Sequence, residues 1–308
     1  MKVTVIGSGV MGPGIAQTWL LGGHQVSLTD LSQEALQKGL NSIKNSLSLM
    51  HQRGLVEKDA DQIITNLSMT TSLQEATSGT SLVIECVAER PDIKQAVYRE
   101  LDRLCPGDTV IVSNTSAMPL PDMFPEFRPE RFFICHYFNP PEIIPFVELV
   151  KNDRTDMEAV LWLKKQLESC GKKAVVLNGF KAGFLVNRLQ TAMMREAFHL
   201  VESGIVEAAD IDTAITDCIG FKSAWQGLFN TMDFIGLDTV ALACSIIYPD
   251  LSNSATVPDV IVQKVSEGNL GVKTGKGFFS YTGGDGSGAV ERRYGNLLDQ
   301  LSLWKKNS

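Results

Sequence analysis

The chain has 308 residues, enough for one large domain or two ordinary ones. Its hydrophobic share of 44% and charged share of 20% are ordinary for a globular protein, and a net charge of -7 argues against a nucleic-acid surface, where basic patches dominate. Six scattered cysteines, with no CxxC pair and no Cys/His zinc spacing, read as reduced thiols of a cytoplasmic protein without a metal site. A strand pattern that begins at residue 3 leaves no room for a signal peptide, and no apolar run approaches the length of a membrane span, so no membrane partner is expected.

In the first half, short apolar runs alternate with helical patterns. "KVTVIG" (2–7), "QVSLTD" (25–30), "SLVIEC" (81–86), "DTVIVSN" (108–114) and "RFFICH" (131–136) read as strands buried on both faces. Over 32–53, Leu36, Leu40, Ile43, Leu47 and Met50 recur at helical spacing. Strands alternating with helices predict an α/β domain with a mainly parallel sheet. After residues 174–183 the texture changes. Leu185, Leu189, Met193, Ala197 and Leu200 repeat about every four residues, and Gly204 is a stop signal. The glycine-containing loop 177–183 predicts a boundary between an α/β domain over 1–180 and an all-α second domain over 181–308.

Gly7, Gly9 and Gly12 form a G-x-G-x-x-G loop that follows a strand and opens a helix, and the next strand ends on Asp30. That context makes it the dinucleotide fingerprint of a Rossmann-type domain. Gly7 allows the tight turn, Gly9 lets the backbone approach a pyrophosphate, and Gly12 lets helix pack on strand. Val10 and Met11 fall within the same cofactor loop. Pro13 suits a first-turn position. Asp30 suits the ribose hydroxyls of NAD and repels a 2′-phosphate. A strand–turn–helix with packing glycines alone is the bland alternative.

Four histidines are present. His24 lies in a turn and His51 near a helix end, both expected to be solvated, and His199 reads as a helix-packing residue. His136 differs: it ends an apolar strand just before Asn139-Pro140-Pro141, and ligands bind beyond the carboxyl ends of strands in open α/β sheets. Glu148 sits in "PFVELV", where a buried carboxylate needs a partner. It either orients His136, as a triad carboxylate does, or pairs with a lysine or arginine.

"GSGVMGPGIAQ", "VIECVAERPDIK", "VSNTS", "HYFNPP", "VELV", "GFLVNR", "FIGLD" and "GVKTGKGFFSY" together resemble the L-3-hydroxyacyl-CoA dehydrogenase family over nearly the whole chain. The resemblance implies an NAD-binding domain, a helical second domain and a homodimer formed mainly by the helices. It places the catalytic histidine on His136, its partner on Glu148, a substrate-contacting serine on Ser116 and an active-site asparagine on Asn187. Glu89, Lys94, Asn114 and Lys273 fall on cofactor contacts. Ser46 and Arg53, seven residues apart, fall where the family contacts CoA; a solvated helix face is the other reading of that pair.

Tyr137, Pro145 and "FKSAWQGLFNTMDF" depart from the acyl-CoA pattern, and "NPPEIIPFVELV" and "AGFLVNRLQ" look closer to relatives that oxidise small free hydroxy acids. Those include gulonate 3-dehydrogenase (a lambda-crystallin relative), carnitine dehydrogenase and a pyridine-carboxylate dehydrogenase. The expected activity is therefore NAD-dependent oxidation of a secondary hydroxyl, on a 3-hydroxyacyl-CoA or on a small hydroxy acid. A non-catalytic, crystallin-like NAD-binding protein is the reading from another class. Met193, Met194, Trp225, Phe229 and Phe234 are more apolar surface than a small helical domain buries alone, which also points to a dimer.

Overall fold

In the computed structural model the described residues are 1–119, 127–281 and 287–307. The chain divides into two units, Met1–Leu185 with Gly295–Ser308, and Val186–Tyr294.

The first unit is built on eight strands: β1 (Lys2–Ile6), β2 (Gln25–Thr29), β3 (Leu67–Thr70), β4 (Leu82–Glu85), β5 (Val110–Ser113), β6 (Phe132–Tyr137), β7 (Phe146–Val150) and β8 (Lys173–Leu177). They lie in the order β3-β2-β1-β4-β5-β6-β7-β8. Every pairing is parallel except β6 with β7. The order reverses between β1 and β4, where an open sheet offers a crevice to a ligand. The helices are α1 (Gly12–Leu21), α2 (Gln33–Gln52), α3 (Ala60–Ile63), α4 (Leu73–Thr77), α5 (Pro91–Leu104) and α6 (Met157–Ser169).

Alternation along each strand divides the core between the two faces of the sheet. Val3, Val5, Leu28, Ile84, Val112, Phe133 and Cys135 pack with Ile15 and Trp19 of α1, Leu36, Ile43 and Leu47 of α2 and Leu163 of α6. Ile6, Val83, Ile111 and Phe132 pack on the other face with Tyr98 and Leu101 of α5. Local chemistry sets the helix starts: the Ser32 hydroxyl accepts from the Ala35 amide at α2, the Asp156 carboxylate accepts from Glu158 at α6, and prolines occupy the first turns of α1 and α5.

The second unit is helical: α7 (Val186–Glu202), α8 (Ala208–Ala214), α9 (Phe221–Ser223), α10 (Leu228–Ile235), α11 (Leu237–Ile247), α12 (Asp259–Ser266) and the start of α13 (Ser287–Asn307). Gly204 takes a positive φ of 68° just after α7, as a stop residue does. Among its described residues only Gly277 is buried. No single described helix is long and apolar enough to cross a membrane.

The division differs from the expected 181–308. Residues from Gly295 onward group with the first unit, because Leu298 and Leu301 are buried and Arg53 meets Asp299 at 3.4 Å.

Candidate active site

The loop after β1 has the form its glycines predict. Gly7 has a φ of 103°, and a Cβ there would lie 2.7 Å from the Cys86 carbonyl oxygen. A Cβ on Gly12 would stand 1.8 Å from the Gly7 oxygen, so that position admits only hydrogen. Gly9 faces open space, Val10 is exposed and Met11 half-buried. Asp30 closes the loop from β2: one carboxylate oxygen accepts from the Ser8 amide at 2.8 Å, the other from the Ser32 amide at 3.0 Å. Open backbone at a helix N-terminus beside a fixed carboxylate fits a dinucleotide with free ribose hydroxyls. When bound, NAD supplies the hydride acceptor.

β6 and β7 form the second part of the site. Because they run antiparallel, the register sets His136 directly opposite Glu148, with both side chains on one face. His136 Nδ1 and Glu148 Oε2 are 2.8 Å apart and both residues are buried. An ionised carboxylate only accepts, so Nδ1 carries the proton and Nε2 is the accepting nitrogen of the ring. The Leu185 amide donates to Glu148 Oε1 at 2.9 Å. Phe138 and Phe184 meet the imidazole edge-to-face at 4.5 and 5.3 Å.

The loop joining the two strands is held by Lys172, whose ammonium donates to the carbonyls of Pro141 and Ile144 at 2.5 and 2.9 Å. Burial pushes this lysine down to about 8, partly offset by Glu142. The Thr18 hydroxyl of α1, which donates to the Gly14 carbonyl at 3.0 Å, also reaches the Pro141 carbonyl at 3.3 Å, so α1 and the β6–β7 loop are joined.

A third cluster lies at the ends of β4 and β5. Glu85 is fully buried and accepts from Lys94 Nζ at 2.7 and 2.9 Å, Ser113 Oγ at 2.6 Å, Tyr98 Oη at 2.5 Å and the Val87 amide at 2.7 Å. Burial and the Glu85 charge hold the Tyr98 phenol well above its ordinary value. Lys94 also meets Glu89 at 3.3 Å, and Glu89 accepts from the Thr115 hydroxyl and from the Ser116 amide. Ser116 is exposed at the carboxyl edge of the sheet. The Asn114 side chain accepts from the Tyr137 amide at 2.8 Å, tying the end of β5 to that of β6.

Several residues differ from expectation. Lys94 is 1% exposed and turned to Glu85, so it braces the loops from below instead of presenting its charge at a cofactor surface. Ser46 is 8% exposed and accepts from Gln17 Nε2 at 2.8 Å, on the inward side of α2, whereas Arg53 stands at the helix end against Asp299. The two therefore do not form one exposed face for CoA. Tyr137 does not line a substrate site: alternation turns it away from His136 into the core, where its hydroxyl accepts from Trp19 Nε1 at 3.1 Å. His24 is half-buried against Trp19, because the turn folds back on α1, while His51 is exposed as expected; His199 is exposed, since no core of the second unit covers α7.

Asn187, in the first turn of α7, and Lys273, exposed in the turn Val272–Thr274, belong to the second unit. Sequence reading missed Glu85 and Tyr98. The signal for Glu85 was present: a carboxylate closing an apolar strand, with Lys94 and Tyr98 four apart on the following helix.

Comparison with known proteins identifies relatives of the chain. The family model described as 3-hydroxyacyl-CoA dehydrogenase, NAD binding domain, matches residues 2–180, and the C-terminal domain of the same family matches 183–281. The 5-formyl-3-hydroxy-2-methylpyridine 4-carboxylate 5-dehydrogenase of Mesorhizobium japonicum is 34% identical over 282 residues, 91% of each chain. A probable 3-hydroxybutyryl-CoA dehydrogenase of Bacillus subtilis is 33% identical over 91% of this chain and 97% of its own. Among solved structures, an NAD+-dependent dismutase described as the same pyridine-carboxylate dehydrogenase superposes with a TM-score of 0.92, at 32% identity, over 99% of this chain and 98% of that one. The (S)-3-hydroxybutyryl-CoA dehydrogenase of Ralstonia eutropha superposes with a TM-score of 0.75 at 27% identity, over 92% of this chain and 99% of its own. With both family domains matched in order around an NAD fingerprint, the chain belongs to the 3-hydroxyacyl-CoA dehydrogenase family.

Proposed function

We propose that this protein is an NAD-dependent oxidoreductase that interconverts a hydroxyl-bearing carbon and the corresponding carbonyl, with His136 as base and Glu148 as its partner. The observation that carries this reading is the buried 2.8 Å pair between Nδ1 and Oε2, at the carboxyl edge of an NAD-binding sheet. His136 Nε2 takes the hydroxyl proton as hydride leaves the same carbon, and Glu148 stabilises the imidazolium that forms. Ser116, exposed at the carboxyl edge of the sheet, holds the substrate oxygen. NAD is preferred over NADP because Asp30 meets the ribose and is followed by Leu31, Ser32 and Gln33, with no cation for a 2′-phosphate.

A small free hydroxy acid is the substrate class that the structure favours over a CoA thioester. Ser46 is turned inward and Arg53 is engaged by Asp299 of α13. α13 lies beyond residue 281, where the family match ends. The pyridine-carboxylate relative superposes with a TM-score of 0.92, and the hydroxybutyryl-CoA enzyme with one of 0.75. The test is an NAD-reduction screen that pairs each hydroxyacyl-CoA with its free acid. Turnover of the acids is expected; turnover of thioesters alone would return the substrate to the acyl-CoA class. Tight NADH binding with no turnover on either set would favour the crystallin-like reading.

A homodimer through the helical half completes the proposal. Phe229 and Phe234 are each 80% exposed and Trp225 65%, in a unit whose described residues bury only Gly277. An apolar helical layer without a core of its own needs a second layer over it, and a second copy supplies one. Sedimentation at micromolar concentration is expected to give a dimer; a monomer would refute it.

A further inference from the structure

Phe184 and Arg128 are the only described non-glycine residues with a positive φ. Phe184 stands at 52°, directly after Gly183 at 79°. A left-handed backbone is disfavoured for a bulky side chain and persists only where its surroundings hold it. Here the ring is buried with Ile134 of β6 and Val150 of β7. It meets His136 edge-to-face at 5.3 Å and 67°, and Phe180 at 5.8 Å. The Phe184 amide donates to the Lys181 carbonyl at 2.8 Å and closes the turn. The next amide, of Leu185, is the one that donates to Glu148 Oε1.

One residue thus touches both halves of the pair, through its ring on the imidazole and through the following peptide on the carboxylate. A glycine at 184 would take this backbone freely, yet the position holds a phenylalanine. We propose that Phe184 is a positioning residue for His136 and Glu148. Its left-handed backbone aims the Leu185 amide at Oε1, leaving Oε2 to hold the Nδ1 proton, and its ring stops the imidazole from turning. The joint effect is a single tautomer, with Nε2 always the acceptor. This rests on the reading of His136 as base, and the two are tested separately below.

The experiment compares Phe184→Gly with Phe184→Val in the full-length protein. Both remove the ring; glycine keeps the left-handed turn, whereas a β-branched residue resists it. The first readout is nitrogen-15 NMR of the four histidine rings, with His136 assigned by its loss in His136→Ala. The parent and Phe184→Gly should hold the Nδ1 proton; Phe184→Val should show a mixed or Nε2-protonated ring. The second readout is kinetic: kcat should fall about 10-fold in Phe184→Gly and about 10²-fold in Phe184→Val, with KM for NAD within about twofold. A parental tautomer and parental kcat in Phe184→Val would overturn the proposal. If Phe184→Val does not bind NADH, Phe184→Gly decides alone, and parental kcat in it overturns the proposal. Turnover by His136→Ala would remove the base assignment and leave the tautomer result standing.

Discussion

His136→Ala is expected to lose about 10²–10⁴-fold in kcat while still binding NADH. The loss follows from geometry: Nε2 is the ring atom left free once Nδ1 is committed to Glu148 at 2.8 Å. NADH binding survives because the glycine loop and Asp30 are held by β1, β2 and α1, with no hydrogen bond to His136. Glu148→Gln is a sharper companion. The carboxylate offers one oxygen to His136 and the other to the Leu185 amide. An amide has one acceptor oxygen, so its NH2 group must face one of two donors, and the charge that supports the imidazolium is gone. A loss of about 10²-fold, or about 2.7 kcal/mol of transition-state stabilisation, is expected. Stopped-flow reduction of NAD measures both variants, and near-parental turnover of His136→Ala on a good substrate would sink the mechanism.

Glu85→Ala is expected to be the most destabilising polar substitution in the first unit. It takes the nearer carboxylate from the buried Lys94 ammonium, which keeps Glu89 at 3.3 Å, and removes the acceptor that the Tyr98 and Ser113 hydroxyls and the Val87 amide share. Breaking a buried pair by removing one partner costs about 3–5 kcal/mol, which for a unit of this size lowers the melting temperature by roughly 6–20 °C. The double variant Glu85→Gln with Lys94→Met should cost less than the two single changes added, because no buried charge of the pair then remains and the glutamine oxygen still accepts from Tyr98 or Ser113. A melting temperature unchanged by Glu85→Ala would show that the cluster is not the anchor described.

The sheet was legible because its strands are continuous apolar runs, and the histidine–glutamate pair because two polar groups stood isolated in such runs. β3 and β8 were not: Leu67–Thr70 is only half-buried, and Lys173–Leu177 is exposed at alternate residues over its first half, so neither is a continuous buried run. The antiparallel turn between β6 and β7 was also hidden, although that reversal is what sets His136 opposite Glu148. Lys94 and Ser46 were misread for one physical reason. Each is a polar residue on an amphipathic helix, where polarity predicts the wet face, yet each is turned inward to a buried partner, Glu85 or Gln17. Linear spacing cannot report such a partner when it lies on another element. Tyr137 was the converse case: next to His136 in sequence, it lies on the opposite face of the same strand.

The return of Gly295–Ser308 to the first unit has a consequence for biosynthesis. Leu298 and Leu301 are buried there, and the Lys305 ammonium donates to the Leu55 carbonyl at 3.2 Å. A ribosome completes β8 long before it makes these residues, and more than a hundred others of the helical unit emerge in between. The nucleotide-binding half therefore cannot seal its surface as it leaves the tunnel; it must keep the α2 flank open until Gly295–Ser308 has been made. In such a chain the order of synthesis separates two steps in the folding of one core.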